Sequence, residues 1–281
     1  REALLQFRES GKFVIANSEF YTEGAYYLAS AADEIIVNPV YTFVEFNGLN
    51  AERLFFKGSL EKLGIEPYIF KVGDYKDAIE PFIREDYSQE SREHTQHILG
   101  MLYDGFIGDI AESRGITPSR LREIADSMLV TDGEQALAHG LIDQIGYEDE
   151  VYDLIREKIG IGEDDDLNLV GFDKYLRSFD ADKSSSNRIA VIFATGEILG
   201  GEGDQNTVGA EKFVKEIRKA RKSSRIKAIV LRINSPGGSA AASDLIYREL
   251  KLAAEEKPVI ASMSDVAPSG GYMIALGCDT I

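Results

Sequence analysis

Short runs of β-branched and apolar residues alternate along the chain with stretches whose apolar positions recur every three to four residues. Phe13 to Ala16 and Glu34 to Val37 read as strands, the second ended by Asn38-Pro39, with a helix over Ala25 to Ala32 between them. A helix near Glu52 to Leu63 and a strand over Tyr68 to Val72 follow. Ser88 to Arg114 is a long, charged, amphipathic stretch ending at Gly115, and Thr117-Pro118 opens the next helix with an N-cap and a proline at its first position. From Ile189 the alternation resumes: a strand to Phe193, a helix over Ala210 to Lys222, a strand over Ala228 to Ile233, a helix over Ala241 to Ala254 and a strand over Val259 to Ser262. This rhythm predicts an α/β fold with a mainly parallel, buried sheet.

The pattern also divides the chain. Residues 85 to 160 are predicted as a helical insert, an appendage on the α/β core. Acidic and serine-rich stretches at Glu163 to Asp166 and Asp180 to Ser186 predict a linker, giving a first part over 1–183 and a second over 187–281. Shifted by 246 positions, Ser18 to Ile35 lies on Ser264 to Ile281 without a gap: Gly24 meets Gly270, Tyr26 meets Tyr272, Ala29 meets Ala275 and Asp33 meets Asp279. The strand Phe13-Val14-Ile15 falls on Val259-Ile260-Ala261. The two parts are therefore expected to be tandem copies of one unit, each displaying something the other lacks.

Composition narrows the function classes. The 281 residues carry 44% hydrophobic and 28% charged residues, an ordinary globular balance. The net charge of −17 argues against a nucleic-acid partner, since phosphate binding needs basic surface. No apolar run is long enough to span a bilayer and the N-terminus has no secretory pattern, so a membrane anchor is expected outside this segment. Cys278 is the single cysteine, which excludes an internal disulfide.

Two glycine turns at the ends of strands could carry chemistry. Ala267-Pro268-Ser269-Gly270-Gly271-Tyr272 follows a strand and opens a helix, placing Ser269 where free N–H groups favour a developing negative charge. The same residues also read as an ordinary serine N-cap with glycines for packing. Asn234-Ser235-Pro236-Gly237-Gly238-Ser239 follows another strand; its N–H groups could form half of an oxyanion hole, or it is a plain Pro-Gly turn. It is not a phosphate loop, since no Gly-Lys-Ser/Thr follows.

A serine nucleophile needs a base. His94, His97 and His139 all fall in the helical insert, none on an elbow beside the core, and His94 and His97 lack a further metal-ligand motif. They read as surface residues. A lysine can serve instead if burial lowers its pKa from about 10.4. Lys76, in a turn predicted to leave the buried strand Tyr68 to Val72, is the candidate; taken alone, it reads first as a solvated loop lysine.

Together the segments Val72-Gly73-Asp74-Tyr75-Lys76-Asp77-Ala78-Ile79-Glu80-Pro81-Phe82, Asn234 to Gly238 and Ala267 to Tyr272 resemble the lysine, oxyanion and nucleophile motifs of the long, duplicated signal peptide peptidase A family. The resemblance implies the Clp protease/crotonase fold of repeated β-β-α units, here two tandem copies with a helical insert, in an oligomer. It implies a Ser-Lys dyad with Ser269 as nucleophile and Lys76 as base, an oxyanion hole from the N–H groups of Gly237 or Gly238 and of Gly270, and no cofactor or metal. It further implies a membrane-anchored bacterial homo-oligomer facing the periplasm that degrades released hydrophobic signal peptides. Glu23 occupies the first copy's equivalent of position 269, and the family's serine that orients the lysine has no counterpart in this segment. A crotonase-type acyl-CoA enzyme and a noncatalytic scaffold of the same fold are the alternatives.

Overall fold

In the computed structural model, which describes residues 1–40, 43–178 and 185–281, the chain folds as two units, Arg1–Leu169 and Val170–Ile281. Part of the stretch 180–186, expected as a linker, lies outside the described residues. The first unit runs α1 (Glu2–Glu9), β1 (Ile15–Ser18), β2 (Phe20–Tyr21), α2 (Glu23–Ala29), β3 (Glu34–Val37), β4 (Phe43–Val44), α3 (Lys57–Lys62), α4 (Glu80–Ile83), α5 (Gln89–Arg114), α6 (Pro118–Asp126), α7 (Gly133–Ala138), β5 (Gln144–Ile145) and α8 (Glu148–Ile159). Its main sheet is parallel, in the order β1-β3-β5, with Ile15 opposite Glu34 and Ile36 opposite Gln144.

The capping signals operate as expected. Ser88 Oγ accepts the N–H of Ser91 at 3.1 Å to start α5, and Gly115 ends it in the left-handed conformation. Thr117 caps α6 by accepting from Arg120 N. The helical region, however, is no appendage: Ile107, Ile110, Leu121 and Ile124 are buried in one core with Tyr26, Ile35, Val37 and Phe46, and β5 returns to the sheet beside β3. Burial of those aliphatic faces, each worth about 1.5–3 kcal/mol per side chain, needs the sheet as the opposite layer.

Two expectations in this unit fail. The helix near Glu52 to Leu63 shrinks to Lys57–Lys62. Residues 68–72 form no strand, and Phe70 and Val72 are 97% and 94% exposed. Alternating apolar residues give strand propensity, but a strand needs a ladder partner, and this segment has none among the described residues of its unit.

The second unit runs α9 (Phe172–Arg177), β6 (Arg188–Thr195), β7 (Glu197–Leu199), β8 (Thr207–Gly209), α10 (Ala210–Lys222), β9 (Ile226–Asn234), α11 (Ala240–Ala254), β10 (Val259–Met263) and α12 (Gly270–Ala275). A parallel sheet in the order β10-β9-β6 and a two-stranded pair β7-β8 pack their inner faces with α10, α11 and α12 into one core, including Ile198, Ile217, Leu231, Ile233, Ile246, Leu250 and Ile274. Glu249, buried on α11, is held by Arg218 and Arg221 of α10 at 2.7 and 3.1 Å.

The repeat is visible in hydrogen bonds. Val14 N donates to the Asp33 carboxylate and Asp33 N to Val14 O, both at 2.8 Å; Val259 and Asp279 make the same reciprocal pair at the same distances. Ile15 pairs in parallel with Glu34, as Ile260 does with Thr280. The strands thus correspond by 245 positions while the aspartates correspond by 246. The two copies do not superpose without a gap; the second has one residue more between the strand and the aspartate.

Candidate active site

Ser269 caps α12 with φ 53° and ψ −122°, and Met128 is the only other non-glycine residue with positive φ among the described residues. Such a conformation costs about 1–3 kcal/mol in an L-residue and is the strained strand-to-helix elbow that exposes a nucleophile. Ser269 is exposed, its side chain makes no capping bond, and Gly270 and Gly271 behind it are buried.

The turn after β9 meets this elbow. Gly237 has φ 92°, and a Cβ there would lie 2.8 Å from Ser269 Cβ and 2.6 Å from Gly270 N. A Cβ at Gly270 would lie 2.4 Å from Ser243 Oγ and 3.3 Å from Gly238 N. Glycine at both positions is therefore a requirement of the close approach. The loop is pinned on its far side by Ile198 of β7, whose N–H donates to Gly237 O and whose carbonyl accepts from Ser239 N, each at 2.8 Å. Gly237 N donates to Ser235 Oγ at 3.1 Å, whereas neither Gly238 N nor Gly270 N donates to a protein acceptor among the described residues. Gly270 follows Ser269 in the chain and Gly238 N lies close to Gly270, so both N–H groups can receive an anionic oxygen at the elbow. Arg232 of β9 fixes the exit of β10 by donating to Ser262 Oγ, Met263 O and Ser264 Oγ, all at 2.9 Å.

Lys76 is carried by the first unit. It stands in an exposed turn and not at the end of a buried strand, and it makes no hydrogen bond or ion pair among the described residues. Its neighbours hold the turn in place. Asp77 accepts from Ser91 Oγ at 2.7 Å and from Arg53 at 3.1 Å, and Glu80, buried, accepts from Ser88 N at 3.1 Å. Burial alone would raise the Asp77 carboxyl, but the Ser91 hydroxyl and the Arg53 guanidinium together hold it below its ordinary value. Tyr75 meets His94 edge to face at 6.3 Å. An open cleft of about 530 Å³ lies along α3 and α4 in the same unit, lined by Leu60, Ile65, Pro67, Phe82 and Ile83 among others.

Glu23 does not stand in for the serine. In the first copy the N-cap is Thr22, with ordinary extended dihedrals, and Glu23 is the first helical residue. Its buried carboxylate accepts the N–H groups of Asn47 and Gly48 at 2.7 Å each, tying down the following loop. Burial raises this carboxyl above its ordinary value despite those two bonds. His139 bonds Arg120, and no cluster of metal-ligating side chains exists among the described residues.

Comparison with known proteins accords with this geometry. The model of peptidase family S49 matches residues 6–162 and that of Clp protease residues 182–280. The chain belongs to peptidase family S49, and its α/β fold is of the Clp protease type. Protease 4 of Haemophilus influenzae is 38% identical over 99% of this chain and 47% of its own length. Protease 4 of Salmonella typhi is 38% identical over 98% and 45%, and the chloroplastic serine protease SPPA of Arabidopsis thaliana 36% identical over 100% and 42%. The chain thus spans about half the length of the curated relatives it matches. A mutant ClpP1 from Listeria monocytogenes is 25% identical over 31% of this chain and 46% of its own, with a TM-score of 0.27 that is too low to define a fold.

Proposed function

We propose that this chain supplies the nucleophile and the base of a serine endopeptidase. Ser269 Oγ adds to the peptide carbonyl carbon while its proton passes to neutral Lys76 Nζ. The carbonyl oxygen, now anionic, is received by the N–H groups of Gly238 and Gly270. Collapse of the adduct breaks the C–N bond, Lys76 returns the proton to the leaving amine, and water then hydrolyses the ester left on Ser269. The observation that carries the reading is the strained elbow at Ser269 with two unused N–H groups beside it. Because Lys76 is exposed in the chain by itself, the mechanism requires the assembled enzyme to enclose it, within one chain or between neighbouring subunits, so that desolvation favours its neutral form.

The substrates we assign are hydrophobic peptides of the signal-peptide class. The apolar cleft along α3 and α4 and the exposed Tyr68, Phe70 and Val72 beside the lysine turn support that choice. We place the enzyme as a homo-oligomer held at a bacterial inner membrane and facing the periplasm. No helix among the described residues is long and apolar enough to cross a membrane, so such an anchor would belong to other parts of the protein.

The test is made on the full-length protein. Ser269→Ala and Lys76→Ala each abolish peptide hydrolysis, and the double variant is no worse than either, as expected of groups acting as one unit. Hydrolysis retained by either single variant would overturn the dyad. Failure of Ser269 to react with an aryl fluorophosphonate would overturn the serine peptidase itself.

A further inference from the structure

Of the two successive amides in the glycine turn, only one is left for a substrate, and the choice is made by a neighbouring side chain. Ser235, the first residue after β9, is fully buried. Its N–H donates to Val266 O at 2.8 Å, joining the turn to the segment that leads into the elbow. Its Oγ accepts the N–H of Gly237 at 3.1 Å. Its carbonyl oxygen lies so near α12 that a Cβ at Gly271 would stand 2.7 Å from it. One residue thus touches the oxyanion turn, the approach to Ser269 and the first turn of the helix behind it.

A turn of two glycines has wide conformational freedom and no side chains of its own to fix which way its amides point. The Ser235 hydroxyl removes that freedom by drawing the Gly237 N–H inward, while Ile198 holds the turn from the other side. Gly238 N is left without a protein acceptor close to Gly270, the residue that follows Ser269. Donors fixed before the reaction stabilise developing charge without reorganising, and donors that must be found during it do not.

We propose that Ser235 is a positioning residue for acylation: its buried hydroxyl selects Gly238 over Gly237 as the oxyanion donor of the turn. This rests on Ser269 being the nucleophile. It acts only on transition-state binding, so its loss lowers kcat and leaves KM in place.

The experiment uses the full-length protein with Ser235→Ala and Ser235→Thr. Five quantities are read: the labelling rate of Ser269 by an aryl fluorophosphonate, whose phosphoryl oxygen takes the oxyanion position; kcat and KM on a hydrophobic peptide; Tm; and amide exchange at Gly237. Ser235→Ala is expected to slow labelling and kcat by about 10–100-fold, to leave KM within about twofold, and to speed Gly237 exchange. Ser235→Thr, which keeps the acceptor, recovers most of the rate. Wild-type labelling of Ser235→Ala, or a rise in KM at unchanged kcat, overturns the positioning role alone. Absence of labelling in the unsubstituted protein overturns the nucleophile on which it rests. Should the alanine variant fail to fold, Ser235→Cys, of similar volume and weak as an acceptor, is held to the same thresholds.

Discussion

At Ser269 the backbone holds a conformation that few side chains tolerate, and the surrounding contacts must hold it there. A glycine at this position would adopt the same dihedrals without strain, whereas an alanine would not. Ser269→Gly is therefore expected to be more stable than Ser269→Ala by about 1 kcal/mol, read as a higher Tm or denaturant midpoint, although both are inactive. Equal stability would mean the turn carries no strain. At this scale the site was partly legible. The glycine pairs at 237–238 and 270–271 mark close backbone approach in the sequence itself, and in the structure Gly237 meets Ser269 and Gly270 while Gly238 meets Ile198 and Gly271 meets Ser235. Ser235 gave no signal, because a buried hydroxyl facing a backbone amide looks in sequence like any serine in a turn.

Among the elements, those with capping residues were the most legible: Ser88, Gly115 and Thr117 mark the ends of α5 and the start of α6 as expected. The strand expected at Tyr68 to Val72 was misread because alternation reports propensity and says nothing of a partner strand. The three-residue β7 and β8 are too short to show a period at all. The lysine turn takes its order from Ser91 of α5 and from Arg53, which precedes α3, both donating to Asp77. Asp77→Asn should weaken this anchor by about 1–2 kcal/mol, seen as faster amide exchange and proteolysis over residues 71–84. Because the folded-state pKa of Asp77 is lowered, its contribution is full above the unfolded value of about 3.9 and is lost as pH falls through the folded one. The wild-type turn should thus loosen only in acid below the ordinary carboxylate range, while the Asn variant should be loose and nearly indifferent to pH there. A variant turn as protected as the wild type would remove Asp77 as the anchor.

For the whole molecule the decisive question is which group takes the serine proton. On the proposed dyad the base must be neutral to accept that proton, so kcat/KM is expected to rise with pH along one limb that no histidine supplies. Replacing His94, His97 and His139 together by Gln should leave that limb within about one pH unit of its place. His94 packs on Tyr75, next to the lysine, so this triple variant can change the height of the profile without moving it. A limb that disappears or moves further identifies histidine as the base.

The difference in the join between strand and helix has a consequence for the first copy. The first copy has the shorter join and starts α2 from Thr22 without a positive-φ turn, while the carboxylate of Glu23 is committed to the loop behind it. Changing Glu23 to serine would therefore produce a buried hydroxyl on the first turn of a helix and not a second nucleophile. Building an elbow there takes a longer join together with release of that loop. On the proposed dyad the asymmetry between the halves is therefore locked against single substitutions: no one-residue change in the first copy supplies a second nucleophile.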